Sequence, residues 1–288
     1  MNAKDKSQAT NCDITGFYVY CVRSKNEKKS RGAAIAQDLH LNGKIYNGVE
    51  FGSVMSAISY KDIEVIASNI DFSRFDEKKI KYKLQEDMRW AEKNVRLHHS
   101  IVAKAYKTGA VIPMKFGTIF KTEKSMETML KNQYKRFKKL LAELAGKQEW
   151  GVKIYLKDEK FINFIKEKNI EIKEMENKKL TMSEGQKWYA DKKLEEFVAA
   201  RFDDELERQL QSIVKKLEDC SEQIIFCDLL PKEATGGINQ NNVLNAACLI
   251  TKGKVAYFKK MLQEIQKKRR GFGFTFIASG PWPPYNFV

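Results

Sequence analysis

The sequence predicts an α+β fold in two domains, the second a modified ferredoxin-like (βαββαβ) unit with a helical insertion. Three observations carry this. The chain has 288 residues, more than one average domain of roughly 100–150 residues. Its hydrophobic fraction of 43% and aromatic fraction of 11% supply real cores. Strand-like and helix-like apolar patterns also alternate along it, and from Glu149 onward they run β-α-β-β-α-β, the split βαβ order. The predicted organisation is a polar, mobile tail over 1–13, an N-terminal α+β domain over 14–146, a ferredoxin-like domain over 147–279, and a tail over 280–288 packing on the body.

Each element has its own warrant. Ile14 to Val22 is rich in β-branched and aromatic residues and reads as a strand, followed by a charged loop from Arg23 to Arg31. Val49 to Tyr60 is an apolar run broken at Gly52, and Ile63 to Ala67 a further short strand. Leu84, Met88, Ala91, Val95, His98, Val102 and Ala105 then recur at steps of four and three, one face of an amphipathic helix. Val111 to Phe120 is strand-like, with Pro113 confining it to an edge or a strand start. A second helix spans about Thr122 to Ala145 on Met126, Leu130, Tyr134, Phe137, Leu141 and Leu144, stopped at Gly146.

The second domain opens with the strand Val152 to Leu156. Lys157 to Gln186, rich in lysine and glutamate, reads as a short helix and an insertion. A long helix follows over about Lys187 to Asp219, with Leu194, Phe197, Val198, Leu206, Leu210, Ile213, Val214 and Leu217 as its stripe. Ile224 to Leu230 and Val243 to Thr251 are strands around a loop holding Pro231, Gly236 and Gly237. Phe258, Met261, Leu262 and Ile265 mark a helix ended at Gly271, and Phe272 to Ala278 is the last strand.

The net charge is +15, from 52 basic and 37 acidic residues. Such a bias suits an acidic partner, but both signs are mixed throughout and most of the excess is lysine, which also serves solubility. Nucleic acid is therefore not the expected partner. Cys12, Cys21, Cys220, Cys227 and Cys248 are odd in number and form no C-x-x-C pair, against a disulfide framework or a structural zinc site. Without an apolar leader or a run of roughly 20 apolar residues, the expectation is a soluble cytoplasmic chain with reduced thiols.

No catalytic, cofactor or metal constellation emerges. There are three histidines. His98 and His99 are adjacent and about 100° apart on a helix, so they do not share a metal readily, and His98 reads as a packed core residue. His40 has no evident partner. Phosphate-binding glycine loops, a G-x-S-x-G elbow and H-E-x-x-H spacing are all missing. Asp203, Asp204 and Glu205 read as a solvated helix face.

Arg270-Gly-Phe-Gly-Phe-Thr-Phe276 resembles the RNP1 signature of RNA-recognition motifs, and Ile154-Tyr-Leu156 loosely resembles RNP2. A single-stranded RNA-binding module is the alternative function on this reading. Against it, Thr275 stands where an aliphatic residue belongs and Ile277 where an aromatic does. The motif also falls on the fourth strand, and its two strands are too far apart in sequence. The favoured reading is a strand whose aromatics face the core.

The chain closes on Gly280-Pro-Trp-Pro-Pro-Tyr-Asn-Phe-Val288, three prolines and three aromatics within nine residues. Proline fixes φ and removes a donor, so helix and central strand are excluded. Trp282, Pro283, Pro284, Tyr285 and Phe287 are the candidate partner-binding or interdomain residues. Trp282, Tyr285 and Phe287 are expected to be mostly buried, against the first domain, with partner docking second.

This ending resembles that of the gas vesicle protein GvpL/GvpF family, and other stretches match in the same order. Phe17-Tyr-Val-Tyr20 resembles the opening strand. His98 and His99, then Val111-Ile-Pro-Met-Lys-Phe-Gly-Thr-Ile-Phe120, resemble the helix histidine and a "VLPxRFGTxF" segment, with Lys115 in place of arginine. Glu149-Trp-Gly-Val-Lys153 resembles "EWxVK", and Gly185, Trp188 and Tyr189 resemble "GxxYL". Asn245-Ala-Ala-Cys-Leu-Ile250 resembles "NAAYLV", with Cys248 in place of tyrosine. The resemblance implies a non-enzymatic accessory role in gas vesicle assembly, within the prokaryotic cytoplasm and associated with the vesicle. It implies no cofactor. The implied partners are the shell protein GvpA and other accessory Gvp proteins.

Overall fold

A computed structural model describes residues 15–25, 39–41, 44–46, 48–49, 53–232, 238 and 240–288. The expected mobile tail with Cys12, most of the charged loop, Gly52 and Gly236-Gly237 lie outside the described residues, as does the side chain of His40. Chain contacts divide the molecule into two compact units. Met1–Gly146 with Pro283–Asn286 and Val288 form the first; Lys147–Trp282 with Phe287 form the second. The class is α+β, with two larger antiparallel sheets, a two-stranded ribbon and seven α-helices among the described residues.

The first unit is built on β1 (Thr15–Ser24), with the ribbon β2 (Leu39–Leu41) and β3 (Lys44–Tyr46) following it. β4 (Met55–Tyr60) and β5 (Ile63–Asp71) form a hairpin, and β6 (Val111–Pro113) and β7 (Ile119–Phe120) complete the sheet. Its order is β4-β5-β1-β6, with β7 also paired to β1. β1 is buried almost throughout, so it reads as a continuous apolar run, as a strand covered on both faces should. Pairing with β5 shifts register between Val19 and Cys21, leaving Tyr20 without a partner. A bulge of this kind re-aims a side chain, and here Tyr18 and Tyr20 enter one core.

The helices over this sheet begin and end on identifiable residues. α1 (Glu77–Glu86) is capped by Asp76, whose carboxylate accepts from the Lys79 amide at 2.8 Å. α2 (Met88–Thr108) follows α1 with a single residue, Asp87, between them. The single stripe expected from Leu84 to Ala105 is therefore interrupted. Asp87 closes α1 and caps α2, accepting from the Trp90 amide at 2.9 Å, a local competition typical of aspartate. Leu84, Met88 and Val95 are exposed as a result. The buried face of α2 is Ala91, Asn94, Leu97, His98, Ile101, Val102 and Ala105. α3 (Glu123–Leu144) follows the expected stripe, opened by a Thr122–Ser125 capping box. Tyr134 of α3 donates to Asp62 in the β4–β5 turn at 2.7 Å, and Lys138 pairs with the same carboxylate.

In the second unit β8 (Lys147–Leu156) is followed by α4 (Asp158–Lys168), α5 (Ile170–Lys179) and the 37-residue α6 (Glu184–Cys220). The Lys157–Gln186 stretch is thus two helices and the start of a third. β9 (Gln223–Phe226), β10 (Asn241–Thr251), α7 (Val255–Arg269) and β11 (Phe274–Trp282) complete the unit. The sheet order is β11-β8-β10-β9, with every neighbouring pair antiparallel. Trp150, Val152, Ile154 and Leu156 alternate along β8 into a core shared with Leu244, Ala246, Cys248 and Ile250 of β10 and Phe258, Leu262 and Ile265 of α7. Asn242 is buried but satisfied: it donates to the Ile154 and Leu244 carbonyls at 3.0 Å and accepts from Leu230 at 2.9 Å.

β11 runs four residues past the expected end of the last strand. The tail's Gly280, Pro281 and Trp282 continue it along the sheet edge, where a proline leaves no ladder bond unmade. The strand begins beside Gly273, which has φ +92° and whose carbonyl accepts from the Lys157 amide at 3.0 Å. A Cβ there would lie 2.7 Å from the Lys157 backbone oxygen. Gly273→Ala is therefore expected to destabilise the second unit by about 2–4 kcal/mol, combining left-handed strain with a backbone clash. A denaturant midpoint within error of the parent would refute this account.

Candidate functional site

The segments singled out in the first 120 residues, far apart in sequence, meet in one aromatic cluster of the first unit. Tyr18 and Tyr20 come from β1, His98 from α2 and Phe116 from the turn between β6 and β7. Tyr18 and Tyr20 lie 5.0 Å apart by ring centroid; His98 lies 5.7 Å from Tyr18, 5.6 Å from Tyr20 and 5.8 Å from Phe116. Phe116 also meets Trp90 of α2 edge-on at 6.3 Å. From the tail, Tyr285 stacks on His99 at 5.9 Å and lies 6.5 Å from His98.

Hydrogen bonds order these rings. The Gly117 amide donates to the Tyr18 hydroxyl at 3.0 Å, and that hydroxyl lies 3.0 Å from His98 Nδ1. The Gly117 amide takes one side of the tyrosine oxygen, and the Tyr18 hydroxyl and His98 Nδ1 share a hydrogen bond on the other. The Tyr20 hydroxyl accepts from the Val49 amide at 3.0 Å and bonds Ser68 at 2.8 Å. Burial holds both phenols well above their ordinary titration range. Burial likewise pushes His98 down to about 4, partly offset by the Met114 backbone. These are packed, neutral groups, not an acid–base pair poised near neutrality.

The sign of the His98 effect follows from that shift. Its folded-state value is below its ordinary 6.5, so between about pH 6.5 and 4 the unfolded chain binds more protons. Stability is full above that window and falls as pH falls through it. The His98 contribution between pH 7.5 and 4.5 is roughly 2–3 kcal/mol. His98→Gln should lose stability at both pH values yet show a correspondingly smaller difference between them in urea titrations. An equal pH difference in the two proteins would exclude this role.

Other sequence candidates fall elsewhere. Phe274 and Phe276 are buried in the second unit's core, and Phe272 stacks on Phe164 at 3.8 Å. The aromatics that an RNA platform needs on an open face are thus committed to packing. Asp204 and Glu205 face Arg201 and Arg208 as surface pairs. Among the described residues, no group of three or more His, Cys, Asp or Glu could hold a metal ion, and Cys21, Cys220, Cys227 and Cys248 are free thiols. Burial pushes Cys21 and Cys248 up to about 12, far from the range of a reactive thiolate. A groove of about 440 Å³ between α4 and α6 is walled by Ile162, Leu194, Val198 and Phe202. Asp191 at its rim is tied to Lys179.

The tail is split in its exposure. Pro283, Pro284 and Phe287 are buried and Tyr285 half-buried, while Trp282 is 39% exposed and donates its indole N–H to Ser279 at 3.1 Å. Trp282 thus departs from the expected burial, because the strand that carries it is the sheet edge.

The sequence model described as "Gas vesicle synthesis protein GvpL/GvpF" matches residues 16–288. The chain belongs to the GvpL/GvpF family. Gas vesicle protein L of Streptomyces sp. (strain CB03234) is 23% identical over 80% of this chain and 82% of its own length. Gas vesicle protein L1 of Halobacterium salinarum is 23% identical over 70% and 73%. The crystal structure of GvpF from Anabaena sp. PCC7120 superposes with a TM-score of 0.64 at 15% identity, covering 95% of both chains. That of GvpF from Microcystis aeruginosa gives 0.58 at 16% identity, covering 94% of this chain and 98% of the other. The fold of these GvpF structures is therefore shared at 15–16% identity. Among the described residues no helix is long and apolar enough to cross a membrane.

Proposed function

We propose that this GvpL/GvpF-family chain is a non-enzymatic accessory protein of gas vesicle assembly, acting in the cytoplasm and at the vesicle. It binds the shell protein GvpA or other accessory Gvp proteins without a cofactor. The observation that carries this reading is the use of the family's residues: Tyr18, Tyr20, His98, Phe116, Gly117 and Tyr285 are spent on a buried, neutral packing node. A catalyst would aim such groups into an open cleft. Here they hold a scaffold, which leaves the surface to partners. The order β11-β8-β10-β9 supports reading the second unit as ferredoxin-like with a helical insertion. In the tail, Pro283, Pro284, Tyr285 and Phe287 act first as packing, and Trp282, the most exposed of the tail aromatics, is the residue offered to a partner.

The physical task fits such a scaffold. A shell subunit with a gas-facing apolar surface aggregates in water unless something covers it before assembly. Co-purification of this chain with GvpA at moderate salt, the other Gvp proteins also supplied, is the test. Retention is expected; consistent loss of every Gvp protein in the wash would reject the reading.

A further inference from the structure

One edge of the second unit's sheet lacks the usual safeguards against strand pairing. β11 closes the sheet on one side, and among the described residues no strand lies beyond it. The Lys157 amide donates to the Gly273 carbonyl, so by the β11–β8 register Thr275, Ile277 and Ser279 turn their backbone groups toward β8. Phe276 and Ala278 turn theirs outward, a template for another strand. Open edges are normally blunted by charge, brevity or proline. Here no Asp, Glu, Lys or Arg lies between Gly271 and Val288, and the strand has nine residues. Pro281 and a register shift come only after Ser279. Ile277 is 38% exposed, and Ala278 is exposed beside it. The opposite edge differs: β9 has four residues, with Glu222 just before it and Asp228 just beyond it.

The residues of β11 select what pairs there, because the strand is its own complement. In antiparallel pairing about Ile277, Phe276 lies opposite Ala278 of a second copy, Thr275 opposite Ser279, and Ile277 opposite itself. Large thus meets small, hydroxyl meets hydroxyl, and a β-branched pair sits on the axis, all favourable cross-strand combinations. Ser279 accepts from the Trp282 indole and keeps its own hydrogen to donate to Thr275. The same register sets the outward backbone groups of Phe276 against those of Ala278. Nearby charges do not oppose it. Lys153 lies one strand in, so the lysines of two copies stand about 14 Å apart, beyond a physiological Debye length. Lys160 and Arg270 stand at the Gly273 end and come beside the second copy's uncharged Pro281 and Trp282. β9 could not pair this way, since self-pairing about Ile225 would set Glu222 against Asp228.

We propose that two copies of this chain join antiparallel through β11, about Ile277, fusing two four-stranded sheets into one continuous sheet. The contact is independent of the accessory-protein reading. A ladder of about four backbone bonds and one isoleucine pair makes it a weak, concentration-dependent dimer. In the full chain carrying Cys12→Ser and Cys227→Ser, Ile277→Cys is oxidised with copper–phenanthroline and the products are mapped by mass spectrometry. The expected product is a disulfide joining position 277 of two copies, since residues opposite each other outside the hydrogen-bonded pairs lie closest. Sedimentation equilibrium of the parent up to about 100 µM should show monomer–dimer exchange. Ile277→Lys, which sets two lysines face to face, should weaken it at least about tenfold while circular dichroism stays that of the parent. A parent that stays monomeric, a dimer that Ile277→Lys leaves intact, or no disulfide at 277 would each overturn the proposal. So would a slipped register, read as a disulfide from Thr275→Cys alone and none between Thr275→Cys and Ser279→Cys.

Discussion

Deleting residues 280–288 should destabilise the protein by roughly 4 kcal/mol and lower its melting midpoint by roughly 8–15 °C. The deletion removes a buried Phe287 and a Tyr285 packed on the first unit's core. Burying a Phe side chain contributes about 1.5–3 kcal/mol, and a ring contact such as Tyr285–His99 adds about 1. It also removes Pro283 and Pro284, both buried, and the Trp282–Glu149 end of the β11–β8 ladder. Trp282→Ala alone should cost less than about 1.5 kcal/mol, since that ring is 39% exposed. Scanning calorimetry on both variants separates two roles. A truncated chain that melts with the parent would make the tail a ligand for partners and not part of the fold.

Glu64→Ala should cost about 3–5 kcal/mol, through a different mechanism. Glu64 of β5 and Arg23 of β1 are paired across the sheet at 2.6–2.7 Å, with side chains only 3% and 7% exposed. Arg23 also donates to Thr108 at 3.2 Å. Removing the carboxylate strands a guanidinium that cannot shed its charge, and an uncompensated buried charge is far costlier than the pair is favourable. The paired replacement Arg23→Met/Glu64→Leu keeps bulk without charge and should recover most of the loss. Urea unfolding of the three proteins decides the matter. Equal destabilisation of the single and double variants would mean that lost packing, not a stranded charge, sets the cost.

Periodicity was a good guide wherever an element buries one continuous stripe. The stripe of α3 from Met126 to Leu144 stands except at Tyr134, whose hydroxyl reaches Asp62 at the surface, because a capped helix over a sheet keeps one face inward. It failed at α1–α2, where a single aspartate that serves as both stop and start broke the register, so Leu84, Met88 and Val95 face solvent. It also failed to separate α4 from α5, whose Asn169 closes one helix and caps the next. In both cases a side chain satisfying free backbone amides outweighed the apolar pattern.

The sequence by itself determined the α+β class and the family, since these rest on local periodicity and on residue strings readable in one dimension. It also identified His98 as a core residue, from its place on an apolar stripe. Only the tertiary structure decided which rings share a core, that burial holds His98 neutral beside Tyr18, and that Arg23 and Glu64 form a buried pair 41 residues apart. It alone showed that Trp188 and Tyr189 stand free while Phe274 and Phe276 do not. The reason is physical. Apolar character is a property of a residue, but burial is a property of what the folded chain sets against it, and contacts between distant segments leave no mark on local spacing.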